Sequence, residues 1–146
     1  MPDGRLGDTG PVTDKPRILI ADDDDGIRAA LRDLLTEEGM DIVGAIEDGV
    51  GAVEATVALA PDIVLMDLRM PGMDGIEATR KIHEAGSRSQ VIILSAYDDP
   101  ALTKGADEAG AYAYLVKGCS AALVHDVILK AFHLKQGLDA RMDGRP

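Results

Sequence analysis

Five short apolar runs recur at near-regular intervals along this chain: RILIA (17–21), DIVGAI (41–46), DIVLMD (62–67), QVIILS (90–95) and AYLVK (113–117). They are β-branched and continuously apolar rather than alternating. Such runs suit strands buried on both faces of a parallel sheet. Helix-like segments fill the gaps. GIRAALRDLLTEEGM places Ile27, Leu31 and Leu34/Leu35 at helical spacing and stops at Gly39. GVGAVEATVALAP is rich in Ala and Val and ends before Pro61, and GIEATRKIHEAGS stops at Gly86. PALTKGADEAG opens with Pro100 in its first turn and carries Gly105 inside, which costs about 1 kcal/mol relative to Ala. SAALVHDVILKAFHLKQG offers Ser120 as N-cap and sets Leu123, Val124, Val127, Ile128 and Ala131 on one face. Five strand–helix repeats predict a doubly wound α/β sandwich around a five-stranded parallel sheet with right-handed crossovers.

A length of 146 residues fits one domain. Residues 1–16 are rich in Gly, Pro and Asp without periodicity and read as a disordered N-terminal tail. Residues 17–137 form the expected folded unit, and 138–146 a frayed C-terminal tail. No run of 18 apolar residues indicates a membrane span, and the N-terminus lacks the apolar stretch of a secretory signal. The single cysteine, Cys119, cannot form an internal disulfide and reads as a small filler residue. A cytoplasmic location is therefore expected. Acidic residues number 26 against 15 basic ones, for a net charge of −11. Phosphate backbones repel such a surface, so no nucleic-acid contact is expected from this segment.

In doubly wound sheets, ligands gather beyond the carboxyl ends of the strands. The first run feeds directly into Asp22-Asp23-Asp24-Asp25, the third ends on Asp67, the fourth on Ser95 and the fifth on Lys117. The second ends on no obvious reactive group. Carboxylates packed this closely repel one another and raise each other's pKa values. A hard divalent cation offsets that repulsion, and Mg²⁺ suits a few carboxylates, several waters and a phosphoryl oxygen. A carboxylate beside such a cation can attack phosphorus and form an acyl phosphate. The phosphoryl oxygens would then be stabilised by the cation, by Lys117 and by the Ser95 hydroxyl with nearby backbone N–H groups. One Phe and no Trp leave little for an aromatic substrate pocket. The constellation reads as phosphoryl capture.

The stretches LIADDDDGIR, VLMDLRMPGMDGIE, VIILSAYDD and AYAYLVKG, in this order over about residues 17–137, resemble the receiver domain of two-component response regulators. SAYDD and YLVKG look most like the subfamily whose members usually carry a C-terminal helix-turn-helix. The resemblance implies a flavodoxin-like (βα)5 fold with Asp67 as phosphoacceptor. It implies Asp22 and Asp23 as the metal-binding acid pair, with Asp67 and the Arg69 backbone carbonyl completing the protein ligands to Mg²⁺, for which Mn²⁺ can substitute. Ser95 would be the switch hydroxyl, Lys117 its phosphoryl-pairing partner and Tyr114 the aromatic switch. Met70-Pro71-Gly72 and Asp74-Gly75 would shape the turn supporting Asp67. Arg69 and Tyr97, each two residues beyond a key group, are candidates for tuning the acyl phosphate's lifetime. The implied partner is a sensor histidine kinase. The implied output is phosphorylation-linked homodimerisation or effector docking through the face of the fourth helix, fifth strand and fifth helix. Such a domain is not an enzyme beyond catalysing its own phosphorylation and dephosphorylation.

Two features depart from the family pattern. Gly118 stands where most receivers have proline, and Asp24 and Asp25 extend the acid pair, where either is placed to cap the first helix. Two alternatives stand beside the receiver reading. One is the regulatory part of a truncated DNA-binding transcriptional regulator. The other is a haloacid-dehalogenase-like phosphatase with Asp23 as nucleophile and Asp25 as acid, which leaves Asp67 and MPGMDG unexplained. His83, His125 and His133 have no ligand partner at useful spacing and are expected on the solvated surface.

Overall fold

The computed structural model describes residues 15–143. Its elements alternate strictly: β1 (Arg17–Ala21), α1 (Asp25–Glu37), β2 (Asp41–Ile46), α2 (Gly49–Leu59), β3 (Ile63–Met66), α3 (Gly75–Glu84), β4 (Gln90–Ser95), α4 (Pro100–Glu108), β5 (Ala113–Val116) and α5 (Ala121–Met142). All neighbours in the sheet pair in parallel, in the order β2-β1-β3-β4-β5. The doubly wound five-stranded sandwich expected from the sequence is the fold observed. The β1–β2 register slips by one residue between Ile18 and Leu19.

Residue alternation along each strand assigns the two faces. Ile18, Ile20, Ile63, Leu65 and Ile92 point to one core with Leu35 of α1 and Val124, Ile128, Ala131 and Phe132 of α5. Leu19, Ala21, Val64, Met66, Val91 and Ile93 point to the other with Ala52 of α2, Ala78 and Ile82 of α3 and Ala106 of α4. Continuous apolar runs are thus required, because consecutive side chains enter different cores. Each fully buried Ile or Leu contributes about 1.5–3 kcal/mol.

Every helix starts at the carboxyl edge of the sheet, and every one is capped there by a side-chain oxygen. Asp24 accepts from the Ile27 N–H at 3.0 Å, Asp48 from Gly51 at 2.6 Å, Asp74 from Glu77 at 2.8 Å, Asp99 from Ala101 at 2.9 Å and Ser120 from Leu123 at 3.1 Å. Each cap is worth about 1 kcal/mol. Asp24 is therefore the cap of α1, which explains one of the two acids beyond the pair.

Two readings of the sequence need correction. The last helix does not fray at residue 138 but runs through Gly137 to Met142. Ion pairs hold its last turns: the i,i+4 pair of Lys135 Nζ with Asp139 at 2.7 Å, and two invisible to local pattern, Lys135 with Asp62 at 3.2 Å and Arg88 with Asp139 at 3.2 Å. His125 is not simply solvated, because its Nδ1 lies 2.8 Å from Glu38 Oε1, tying α5 to the end of α1. The proposed N-terminal tail lies outside the described residues as far as residue 14, and so do residues 144–146 of the C-terminal one. Among the described residues no helix is long and apolar enough to cross a membrane.

Candidate functional site

Three strand ends converge on one rim. Asp22 follows β1 directly; its backbone N–H donates to the Ile46 carbonyl at the end of β2 at 3.0 Å. Asp67 follows β3 and donates its N–H to the Ala21 carbonyl at 2.8 Å. Lys117 follows β5 and donates its N–H to the Ser95 carbonyl at 2.6 Å. The ladder of the sheet thus continues one residue past the strands and holds these backbones in register.

The Lys117 ammonium bridges the two buried acids, 2.9 Å from Asp22 Oδ2 and 3.2 Å from Asp67 Oδ1. Asp22 and Asp67 are 3% and 7% exposed. The other Asp22 oxygen accepts the Asp24 N–H at 2.9 Å. Asp23 is exposed, and its carboxylate makes no hydrogen bond or ion pair among the described residues. One oxygen each of Asp22, Asp23 and Asp67 can be chosen so that all lie within 4.8 Å of one another. Three carboxylates around one point, one of them unpartnered, are a donor set that fits a hard divalent cation.

Burial pushes the Asp67 carboxyl above its ordinary value, and the Asp22 charge pushes the same way; the charge and hydrogen bond of Lys117 pull it down without cancelling the rise. Burial pulls the Lys117 ammonium down, but the hydrogen bond to Asp22 and the charge of Asp67 outweigh it, so its pKa stands above the ordinary lysine value. Lys117 therefore stays charged at neutral pH, pinned between two acids. One cation serves two carboxylates, which leaves Asp67 basic for an aspartate. That basicity favours bond formation to an electrophile.

The loop after Asp67 is shaped by glycine. Gly72 takes φ +78°, and the Gly75 N–H donates to the Leu68 carbonyl at 2.8 Å. A Cβ at Gly75 would collide with the Asp67 carbonyl oxygen, so α3 begins as close to Asp67 as a backbone can come. Gly118, in the place where proline is usual, takes φ +98°, and the peptide before it is trans.

Ser95 does not join the acid–lysine triangle. It is fully buried, and its Oγ accepts the Tyr97 N–H at 3.0 Å. Tyr97 collects further contacts. The Tyr114 hydroxyl donates to the Tyr97 carbonyl at 2.6 Å, and the exposed Arg69 guanidinium lies 5.1 Å from the centroid of the Tyr97 ring. The residues singled out two positions after Asp67 and after Ser95 therefore lie one over the other. A hollow of about 570 Å³ opens next to this arrangement, between α4 and β5, lined by Asp98, Lys104, Asp107, Tyr112 and Tyr114 among others.

Sequence reasoning missed Arg28. One turn into α1, its guanidinium donates to the Asp22 backbone carbonyl at 2.7 Å and pairs with the Asp25 carboxylate. A lone arginine six residues past the first acid carries little signal by itself, because only the fold of the DDDD turn brings the two together.

Residues 18–133 match the response regulator receiver domain family. The chain belongs to that family, whose members are the phosphoaccepting modules of two-component signalling systems. Among its relatives is the transcriptional regulatory protein PdtaR of Mycobacterium tuberculosis, 44% identical over 115 residues, which are 75% of this chain and 55% of PdtaR. The chain thus spans about half the length of that relative. The receiver domain of NarL from Mycobacterium tuberculosis superposes with a TM-score of 0.73 at 31% identity, covering 86% of this chain and 99% of that one. A CheX–CheY–BeF3–Mg²⁺ complex from Borrelia burgdorferi contains a chain matching at TM-score 0.75 and 32% identity, over 80% of this chain and 88% of that one. These relatives fit the subfamily expected from the sequence and favour neither of the two alternatives.

Proposed function

We propose that Asp67 is the phosphoacceptor and that a sensor histidine kinase is its donor. The observation that carries this reading is the single ammonium of Lys117 shared by Asp22 and Asp67, 2.9 and 3.2 Å away. An Asp67 carboxylate oxygen attacks the phosphorus of a phosphohistidine. The new P–O bond forms as the P–N bond breaks, and the electron pair returns to the imidazole nitrogen, which takes a proton from solvent. Asp22 and Asp23, with Asp67 and the Arg69 carbonyl, would hold Mg²⁺, or Mn²⁺ in its place; the Mg²⁺ of the Borrelia complex supports this choice. Bound there, the cation neutralises charge on the phosphoryl oxygens. Lys117 offers a second positive group to those oxygens, since its contact with Asp67 ends when that oxygen is esterified.

The remaining oxygen needs a donor, and the Ser95 hydroxyl, at the end of the neighbouring strand β4, is placed to supply it. To reach it, Ser95 gives up the Tyr97 N–H. That loosens the segment whose carbonyl holds the Tyr114 hydroxyl at 2.6 Å. Release of Tyr114 alters the hollow between α4 and β5, so the face of α4, β5 and α5 is where a second copy or an effector reads the phosphorylated state. Arg69 and Tyr97, stacked beside Asp67, screen the acyl phosphate from water and set its lifetime. The acceptor is consumed stoichiometrically and turns over no separate substrate. The transcriptional role in PdtaR's printed name and a cytoplasmic setting extend the same reading.

The test is incubation with acetyl phosphate, with and without Mg²⁺, read by intact mass. One phosphoryl group gained only with Mg²⁺, and absent from Asp67→Asn, is the expected result. A gain that survives Asp67→Asn moves the nucleophile to the Asp22–Asp25 turn and overturns the assignment.

A further inference from the structure

We propose that Arg28 is a positioning residue for the cation site, aiming Asp23 through the peptide that joins it to Asp22. The inference rests on the reading that Asp22, Asp23 and Asp67 hold a divalent cation. Among the described residues, Asp23 has no side-chain partner to orient it. Its direction is therefore inherited from its backbone. The peptide plane before it carries the Asp22 carbonyl oxygen, and that oxygen is where the Arg28 guanidinium donates, at 2.7 Å. Fixing one atom of a rigid peptide plane limits the rotation of the whole plane, and with it the Cα–Cβ vector of Asp23. The other side of Asp22 is held by its N–H on the Ile46 carbonyl. The peptide after Asp23 is held by the Asp24 N–H on Asp22 Oδ1 at 2.9 Å, and Arg28 restrains the peptide before it.

The ion pair with Asp25 does not account for the placement of Arg28. Asp25 is 90% exposed, whereas Arg28 is 17% exposed and lies in a polar hollow between α1 and Ala45 of β2. An exposed partner contributes little. A charge-assisted bond to a buried backbone carbonyl is the stronger of the two contacts.

The sign of the effect separates positioning from simple electrostatics. Arg28 brings a positive charge close to a cation site. If charge alone mattered, removing it would tighten Mg²⁺ binding. If Arg28 aims Asp23, removing it weakens binding, by about tenfold on the scale of residues that orient metal ligands.

The experiment titrates magnesium chloride into the full chain by calorimetry, without any phosphoryl donor, for the parent, Arg28→Ala, Arg28→Gln, Arg28→Lys and Asp25→Asn. Expected is a Kd raised about tenfold in Arg28→Ala. Arg28→Lys restores most of the affinity because an ammonium can still reach the carbonyl. Asp25→Asn leaves Kd unchanged. Arg28→Ala or Arg28→Gln binding as tightly as the parent, or more tightly, overturns the inference. If Arg28→Ala does not fold, the weakened Kd expected of Arg28→Gln and its recovery in Arg28→Lys decide the matter. A parent that takes up no Mg²⁺ overturns the cation reading itself, and is told apart from failure of the Arg28 inference by that parent titration.

Discussion

The two ends of the sheet solve the same electrostatic problem in opposite ways. At the amino end, two cations, Lys135 and Arg88, and the Arg17 backbone N–H share three acids. The Arg17 N–H donates to Asp62 at 2.8 Å while its guanidinium caps the Ala60 and Leu59 carbonyls of α2 at 2.8 and 2.9 Å. Lys135 joins Asp62 and Asp139, and Arg88 joins Asp139 and Asp143. At the carboxyl end, Asp22, Asp23 and Asp67 cluster with a single ammonium, Lys117, on Asp22 and Asp67, and among the described residues no cation pairs with the Asp23 carboxylate. Three carboxylates less one ammonium leave two negative charges in excess when all are ionised. A closed network stabilises the fold and has nothing left to offer a ligand. An open one strains the fold slightly and is the right size of deficit for a divalent cation.

The largest effect that would break this comparison is at Lys117. Lys117→Ala removes the only cation shared by Asp22 and Asp67, and phosphorylation by acetyl phosphate is expected to slow by roughly 10²–10³-fold, the cost of losing one preorganised charge stabiliser. Time-resolved intact mass measures it, and an unchanged rate would leave the shared ammonium without a chemical role. Lys135→Ala at the opposite end should do the reverse. Asp62 and Asp139 each lose one partner while keeping the Arg17 N–H and Arg88, stability to urea falls by about 1 kcal/mol, and the phosphorylation rate stays that of the parent. A large loss of rate there would mean that the two ends are not independent.

The smallest effect sharpens the contrast through pH. Because the Asp67 carboxyl sits above its ordinary value of 3.8, its ionised form costs stability in the cation-free protein. That cost is absent below pH 3.8 and grows as pH rises through the folded value. With divalent cations chelated, Asp67→Asn is therefore expected to melt above the parent at pH 7, and with no advantage below pH 3.8. Lys117 has the opposite sign: its raised pKa marks a stabilisation present at neutrality and lost only as pH climbs past 10.5. Calorimetric scans across pH check both. A neutral-pH gain that persists in acid would point to a cause other than the Asp67 charge.

The strands were legible because each is a local pattern: β1, β2 and β4 have the bounds their apolar runs suggest, and β3 and β5 differ by a residue at their ends. Asp22, Asp23, Asp67 and Lys117 were legible because a parallel sheet brings strand ends to one rim whatever the loops do. Contacts made across the fold were not. Arg28 reaching the Asp22 carbonyl, Arg69 stacking on Tyr97, and His125 meeting Glu38 across 87 residues of sequence all depend on where helices and loops come to rest. The length of α5 was hidden for the same reason, since Gly137 signals a stop and the ion pairs that overrule it come from β-sheet loops. Asp24 was ambiguous because a carboxylate at that spot can cap a helix or bind a cation, and only the Ile27 N–H decides.

The anchoring of α5 has a consequence for anything joined to it. Its 22 residues make a rod roughly 33 Å long at 1.5 Å per residue, and Arg88 grips it near its far end at Asp139 and Asp143. A rod held there has a defined azimuth as well as a direction. A segment fused in helical continuation inherits both, so each residue inserted at the junction turns the cargo by about 100° and advances it by about 1.5 Å. The response of such a fusion to phosphorylation should then rise and fall with linker length at the helical period, rather than fade smoothly as it would on a flexible tether.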